Sequence, residues 1–281
     1  MATHDATDST PTMTRYWREC ALFLAALALL AGIIAAEPIP QDLAYHQFAD
    51  HRVLFGVPNL FNVASNFLFL LVGIAGAAFC LGRDRPKPAA SWAVLFLGAA
   101  LVSFGSAYYH WNPGNASLVW DRLPMTIALM GLFVALLSEH VDEKLERTML
   151  IPALVVGAAS VAWWHYADDL RLYVWVQLMP LVTLALVLAL FPARYTRRTF
   201  LLYGLGFYVL AKAAEFWDPE IFALTANTLS GHSAKHLLAA LGLLFVYLML
   251  RWREPIPAAR ASPASDTAAV GQPANNRSDS S

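Results

Sequence analysis

Charge is scarce in this sequence: Asp, Glu, Lys and Arg make up 14% of its 281 residues, against 58% hydrophobic ones. A soluble domain carries about 25% charged residues, so an ordinary soluble fold is excluded. Cysteine is scarcer still. The two present, Cys20 and Cys80, have no CxxC spacing. Both fall at helix ends expected on the cytoplasmic side, which argues against a structural disulfide and against a thiolate metal site. There is no internal repeat and no glycine-rich phosphate loop. The formal net charge of -1 says little about partners, and no nucleic-acid partner is expected. The alternating ten-residue strands of an outer-membrane barrel are absent too, so whatever crosses a bilayer here does so as helix.

What the sequence has in quantity is long apolar runs. A spanning helix needs roughly 20 mostly apolar residues. Eight stretches qualify: about 18–36, 60–82, 91–109, 120–139, 149–164, 173–191, 200–217 and 232–250. The fold class is therefore all-α, a polytopic membrane bundle of eight transmembrane helices. Lys and Arg are distributed unevenly between the connecting segments. One alternate set holds Arg15 and Arg18, Arg83, Arg85 and Lys87, Lys144 and Arg147, Arg194, Arg197 and Arg198, and Arg251 and Arg253. The other set holds only Arg52 and Arg171. The positive-inside rule makes the first set cytoplasmic and places both termini inside, as an even number of spans requires.

The organisation that follows is a disordered N-terminal tail (1–17), a first helix (18–36), an extracytoplasmic loop (37–59), a seven-helix membrane domain (60–250) and a disordered C-terminal tail (251–281). The first helix has a basic flank and ends on Ala35-Ala36, so it reads either as a retained span or as a cleaved signal peptide. Its apolar run is longer than that of a usual signal, which favours retention. The tails are rich in Ser, Thr, Ala, Asp and Pro and have little to bury. Short loops point weakly to a bacterial inner membrane.

Polar residues collect at one depth of this layout. Ser106 and His110 lie four apart, hence one turn apart on one face, at the outer end of the 91–109 helix. Asp121 starts the next helix at the same level. His232 and His236, again four apart, open the last span. An i, i+4 pair presents two imidazoles on one face, and three protein ligands with one open position is the usual arrangement of a catalytic zinc. His110, His232 and His236 are thus candidate Zn²⁺ ligands, Asp121 a candidate proton shuttle and Ser106 a candidate oxyanion donor. Each residue also has an ordinary reading: a wet-tipped interfacial His, a Ser bonded back to its helix, a carboxylate near a helix N-terminus. Their joint arrival at one level favours the metal.

The pattern SxxxH, an Asp eleven residues after that His in DRLPM, and HxxxH opening the final span resembles the alkaline ceramidases and the wider CREST superfamily of membrane hydrolases. The resemblance covers about residues 50–250. It implies a seven-helix core with an intramembrane zinc held by His110, His232 and His236. It also implies Ser106 as oxyanion donor, Asp121 as proton-transfer residue and a lipid substrate drawn from the bilayer. The first helix is extra to that plan. Eukaryotic alkaline ceramidases also carry a Glu-rich calcium loop. The matching stretch here, ADHRVLFGVPNLFNVASN, offers Asp50, Asn59, Asn62 and Asn66 but no Glu. Ca²⁺ takes six to eight oxygens, so a full calcium site is not expected; Asn62 and Asn66 read instead as polar glue or as supports for the ligands.

Of the remaining polar residues, Lys212 and Glu215 read as a salt bridge, with Glu215 orienting a ligand His as the alternative. Lys235 reads as snorkelling to the outer headgroups. His46, His51, His140 and His165 are not expected as ligands. The leading function is a zinc-dependent hydrolase cleaving the N-acyl bond of ceramide or a related lipid, with its site toward the extracytoplasmic face. The rivals are a receptor-like, non-hydrolytic member of the superfamily with structural zinc, and a proton-coupled transporter. The transporter reading expects polar groups spread through the membrane depth.

Overall fold

The computed structural model describes residues 16–257; the remainder of both expected tails, and Arg15, lie outside the described residues. Among the described residues, eight helices are long and apolar enough to cross a membrane. They are α1 (Trp17–Ala35), the pair α2 (Leu60–Ser65) and α3 (Phe67–Leu81) acting as one span broken at Asn66, α4 (Ala89–Trp111), α5 (Asn115–His140), α6 (Leu145–Ala167), α7 (Arg171–Leu190), α8 (Thr199–Phe216) and α10 (Gly231–Trp252). Between the last two lies the short α9 (Asp218–Leu224). Among the described residues, the only sheet is a small hairpin of β1 (Val53–Leu54) and β2 (Val57–Pro58).

Several helices run past the apolar runs that announce them, because the polar residues at their ends still turn helically. α5 starts at Asn115 rather than near residue 120, so Asp121 sits in its second turn, not at its beginning. α10 ends at Trp252, and the chain beyond it still packs: the Thr196 amide donates to the Glu254 carbonyl at 2.9 Å. Arg253 pairs with Glu139 at 2.7 Å.

Close helix approach positions the site. In lipid there is little hydrophobic drive between helices, so contact relies on small residues and tight van der Waals packing. α4 and α5 pack most extensively, followed by α8 with α10 and α3 with α4. The α4–α5 seam is keyed at one point. Pro124 has no N–H, so the Trp120 carbonyl one turn back loses its helical donor. That carbonyl presses on Gly105, where an added Cβ would lie 1.9 Å from it. The Gly105–Trp120 contact thus sets the register between Ser106 on α4 and Asp121 on α5. A similar closure at Gly231, whose Cβ would lie 2.2 Å from the Ala214 carbonyl, seats the start of α10 against α8.

α1 packs mainly against α7. Its last turn is bound by Arg171, which donates to the carbonyls of Ile34 at 3.0 Å and Ala36 at 2.8 Å. The loop after it folds back over the bundle, with the Leu170 amide donating to the Ile39 carbonyl. Gln41 bonds through its amide to Asp168 at 3.0 Å.

Candidate metal centre

Each of the three histidines is carried by an element whose position is fixed by backbone contacts. His110 ends α4, and its carbonyl accepts from the Asn59 side chain at 2.8 Å. His232 opens α10, where its amide donates to Asp218 at 2.7 Å. The second Asp218 oxygen accepts from the Ala49 amide at 2.9 Å. One buried carboxylate therefore ties the N-terminus of α10, the start of α9 and the loop before the bundle into a single frame. Ser230 caps α10, accepting from the Ser233 amide. Both serines then donate to the Asn62 side chain, at 3.2 and 2.6 Å.

The result is a compact imidazole cluster. One ligand nitrogen from each of His110, His232 and His236 lies within 4.8 Å of the others, and all three residues are buried. His236 Nδ1 lies 2.8 Å from the Ser65 hydroxyl, which leaves its Nε2 as the free nitrogen. Both ring nitrogens of His110 and Nε2 of His232 are buried with no hydrogen-bond partner. Buried polar atoms are nearly always paired. Three neighbouring imidazoles, two of them with buried nitrogens that lack a partner, form a donor set that suits a borderline cation such as zinc. The residues present therefore fit a metal ion. Phe48, from the loop, closes the cluster edge-on, with its ring centroid 4.7 Å from those of both His110 and His232.

Ser106 and Asp121 lie next to this cluster, held in register by the Gly105–Trp120 contact. Both residues are buried yet line a cavity of about 370 Å³, as does His236. This cavity runs between α4, α5, α7, α8 and α10. Its α4 wall is Leu95, Ala99, Val102 and Ser106, a rise of roughly 16 Å at 1.5 Å per residue. It is thus a deep apolar slot with the polar groups at one end. Five residues named from the sequence, His110, His232, His236, Ser106 and Asp121, are brought together at that end.

A family model described as Ceramidase matches residues 49–264. The chain belongs to the ceramidase family. The match takes in the whole imidazole cluster, Ser106, Asp121 and all seven later spans; α1 lies before it. No individual curated protein matches the chain.

Other polar groups of this ceramidase-family bundle depart from the sequence reading. Lys235 does not snorkel. Its side chain turns inward and pairs with Glu215 at 2.7 Å, because the rotation of α10 that aims His232 and His236 at the cluster carries Lys235 to α8 rather than to the surface. Glu215 also accepts from Lys212, as expected, and from the Tyr45 hydroxyl at 3.3 Å. It contacts no ligand histidine.

Of the four residues that could offer oxygens to calcium, Asp50, Asn59 and Asn62 bond to protein groups through their side chains, while Asn66 Oδ1 is buried with no hydrogen-bond partner. Asp50 accepts from Arg52 at 2.7 and 2.8 Å, and Arg52 lies over the rings of Phe61 and Phe222. Asn66 donates to the Asn62 carbonyl at 2.8 Å. Asn62 thus joins the two halves of the ligand frame. His46 bridges Tyr109 at 2.9 Å and Asn115 at 2.8 Å, away from the cluster. Four contributors had no signal in the spacing of polar residues: Phe48, Ser65, Asp218 and Tyr45. Only Asp218 had a local cue, the Asp-Pro that commonly opens a helix.

Proposed function

We propose that the chain is a zinc-dependent lipid amide hydrolase that cleaves the N-acyl bond of a ceramide-like lipid. The observation that carries this reading is the set of orphaned imidazole nitrogens beside an amphiphile-shaped cavity. His110, His232 and His236 would hold the ion, with Ser65 fixing the ring of His236. A zinc ion there would act as a Lewis acid on a carbonyl and lower the pKa of water to about 7.

The chain's own residues supply the rest. Asp121 accepts the proton of the attacking water and returns it to the departing amine nitrogen, the acid–base role of a carboxylate held at the reacting atoms. The Ser106 hydroxyl donates to the carbonyl oxygen as it gains negative charge. The leucine and alanine wall of α4, α7 and α10 receives an alkyl chain, and Phe48 screens the cluster from the loop side. Amide hydrolysis suits such a slot, since a lipid amide is already dissolved in the bilayer and only water has to be admitted.

The same reading places the site toward the extracytoplasmic face of a bacterial inner membrane, with both termini inside. The Lys and Arg asymmetry supports this orientation. The contacts of α1 with α7 and Arg171 favour its retention as an eighth span.

The test is metal analysis of the purified protein combined with mass spectrometry of lipids before and after incubation. We expect close to one zinc per chain and release of a fatty acid and an amine from ceramide-like lipids. Folded His232→Ala and Asp121→Ala variants that cleave at the normal rate would falsify the mechanism.

A further inference from the structure

Arg122 is a cation of the cavity wall that pairs with no carboxylate among the described residues. It follows Asp121 on α5 and is 5% exposed. Its guanidinium carbon lies 4.0 Å from the centroid of Trp164, 4.7 Å from Tyr173 and 5.7 Å from Tyr45. Nη2 donates to the Gln41 side chain at 2.7 Å. Nη1 is buried and has no partner, and no carboxylate forms an ion pair with Arg122 among the described residues. A guanidinium cannot shed its proton, and an unpaired buried charge is strongly destabilising. Aromatic stacking offsets part of this cost but leaves the Nη1 donor unfilled.

The polar end of the cavity as a whole is cationic. Lys212, Lys235 and Arg122 line it together with Glu215 and Asp121. With both carboxylates ionised, three positive charges face two negative ones. Glu215 is already shared by the two lysines, and Asp121 makes no ion pair with Arg122, so Arg122 has no bonded counter-ion. The apolar end needs no counter-charge. A ligand that fits both ends is an amphiphile whose head carries an oxyanion, the group that a planar guanidinium binds best.

We propose that Arg122 forms a subsite for a carboxylate, phosphate or sulfonate on the amine half of the substrate, so that the preferred substrates are anionic N-acyl lipids rather than neutral ones. This rests on the hydrolase reading above and names its substrate class. The acyl chain lies along the apolar wall, the amide stands at Ser106 and Asp121, and the anionic head meets the Arg122 guanidinium.

A matched pair of probes tests it: N-dodecanoylglycine and N-dodecanoylethanolamine, which share chain and amide and differ by a carboxylate against a hydroxymethyl group. On the zinc-loaded full-length protein, the ratio of kcat/KM for the anionic over the neutral probe is expected to be at least tenfold. Arg122→Gln should bring that ratio close to one, and Arg122→Lys, which keeps the charge but loses the fork, should fall between. A wild-type ratio near one overturns the subsite. So does an unchanged ratio in Arg122→Gln, which would mark the residue as structural. Should Arg122→Gln fail to fold, the wild-type ratio and Arg122→Lys decide.

Two further arms separate the alternatives. If neither probe is cleaved, the hydrolase reading is decided by the ceramide-like lipids of the test above, and equilibrium binding of the two probes decides the subsite: at least tenfold tighter binding of the anionic probe supports it, equal binding overturns it. Dodecanoate, the product both probes share, is run as a competitor. If it competes as strongly as N-dodecanoylglycine binds, and loses that strength in Arg122→Gln, the oxyanion is the product's and the substrate assignment is overturned.

Discussion

The bundle buries polar clusters near both of its ends, and they are treated in opposite ways. At the end away from the histidine cluster, Arg253 pairs with Glu139 at 2.7 Å and donates to the Lys87 carbonyl at 3.0 Å. Its guanidinium also covers the Tyr195 ring. There Arg194 bonds the His140 carbonyl, and His140 Nδ1 lies 3.1 Å from the Leu136 carbonyl. The space left is about 10 Å³, about enough for one water molecule. At the other end the imidazole nitrogens face one another unpaired beside about 370 Å³ of cavity. Single buried atoms such as Arg198 Nε and Ser138 Oγ lack a partner at the first end as well; what sets the histidine end apart is that several imidazole nitrogens converge beside a cavity.

Substitutions can break this contrast in order of effect. His232→Ala should abolish stoichiometric metal, measured by elemental analysis, and reduce lipid hydrolysis by more than about 1,000-fold while the bundle stays folded. Asp121→Asn should retain the metal and lower kcat by about 10²- to 10⁴-fold, read from steady-state kinetics. At the far end the pattern should invert: Arg253→Met strands Glu139 and should cost about 3–5 kcal/mol of stability. Metal content per folded molecule should not change, as thermal unfolding and elemental analysis together would report.

Two smaller effects sharpen the contrast. Ser65→Ala removes the hydroxyl beside His236 Nδ1 and should weaken metal affinity by about 10- to 100-fold in a competition titration. Away from both clusters, Asp169 is held below the ordinary carboxylate range, chiefly by its hydrogen bond to Arg171. A depressed folded-state value means its contribution is present above the ordinary carboxylate pKa of about 4 and is lost as the pH falls below it. Acid unfolding should show this as extra loss of stability below about pH 4, absent in Asp169→Asn.

The spans were legible because hydropathy over twenty residues is a strong signal and the bilayer leaves helices little alternative. The histidines, Ser106 and Asp121 were legible as a group because a spacing of four and a shared depth survive any rotation of the helices. Lys235 shows where that logic stops. Its depth was readable, but which neighbour it meets depends on how α10 rolls against α8, and that is set by contacts such as Gly231 on Ala214. Helix ends ran long for a related reason, since Asn115 to Val119 are helical by packing rather than by apolar run. The residues supplied by the loop, Tyr45 and Phe48, were invisible because nothing local records where a connecting segment folds back. Asp218 was readable as a helix start but not as a clasp for two other segments.

Phe48 has a kinetic consequence. With its ring against both His110 and His232, an ion seated among the imidazoles would have no direct exit past the loop. A chelator approaching from the loop side would then reach it no faster than the clasp made by Ala49 on Asp218 lets that segment lift. On that side, retention of the metal would be governed by the lifetime of one hydrogen-bonded strap as much as by the strength of three nitrogen ligands.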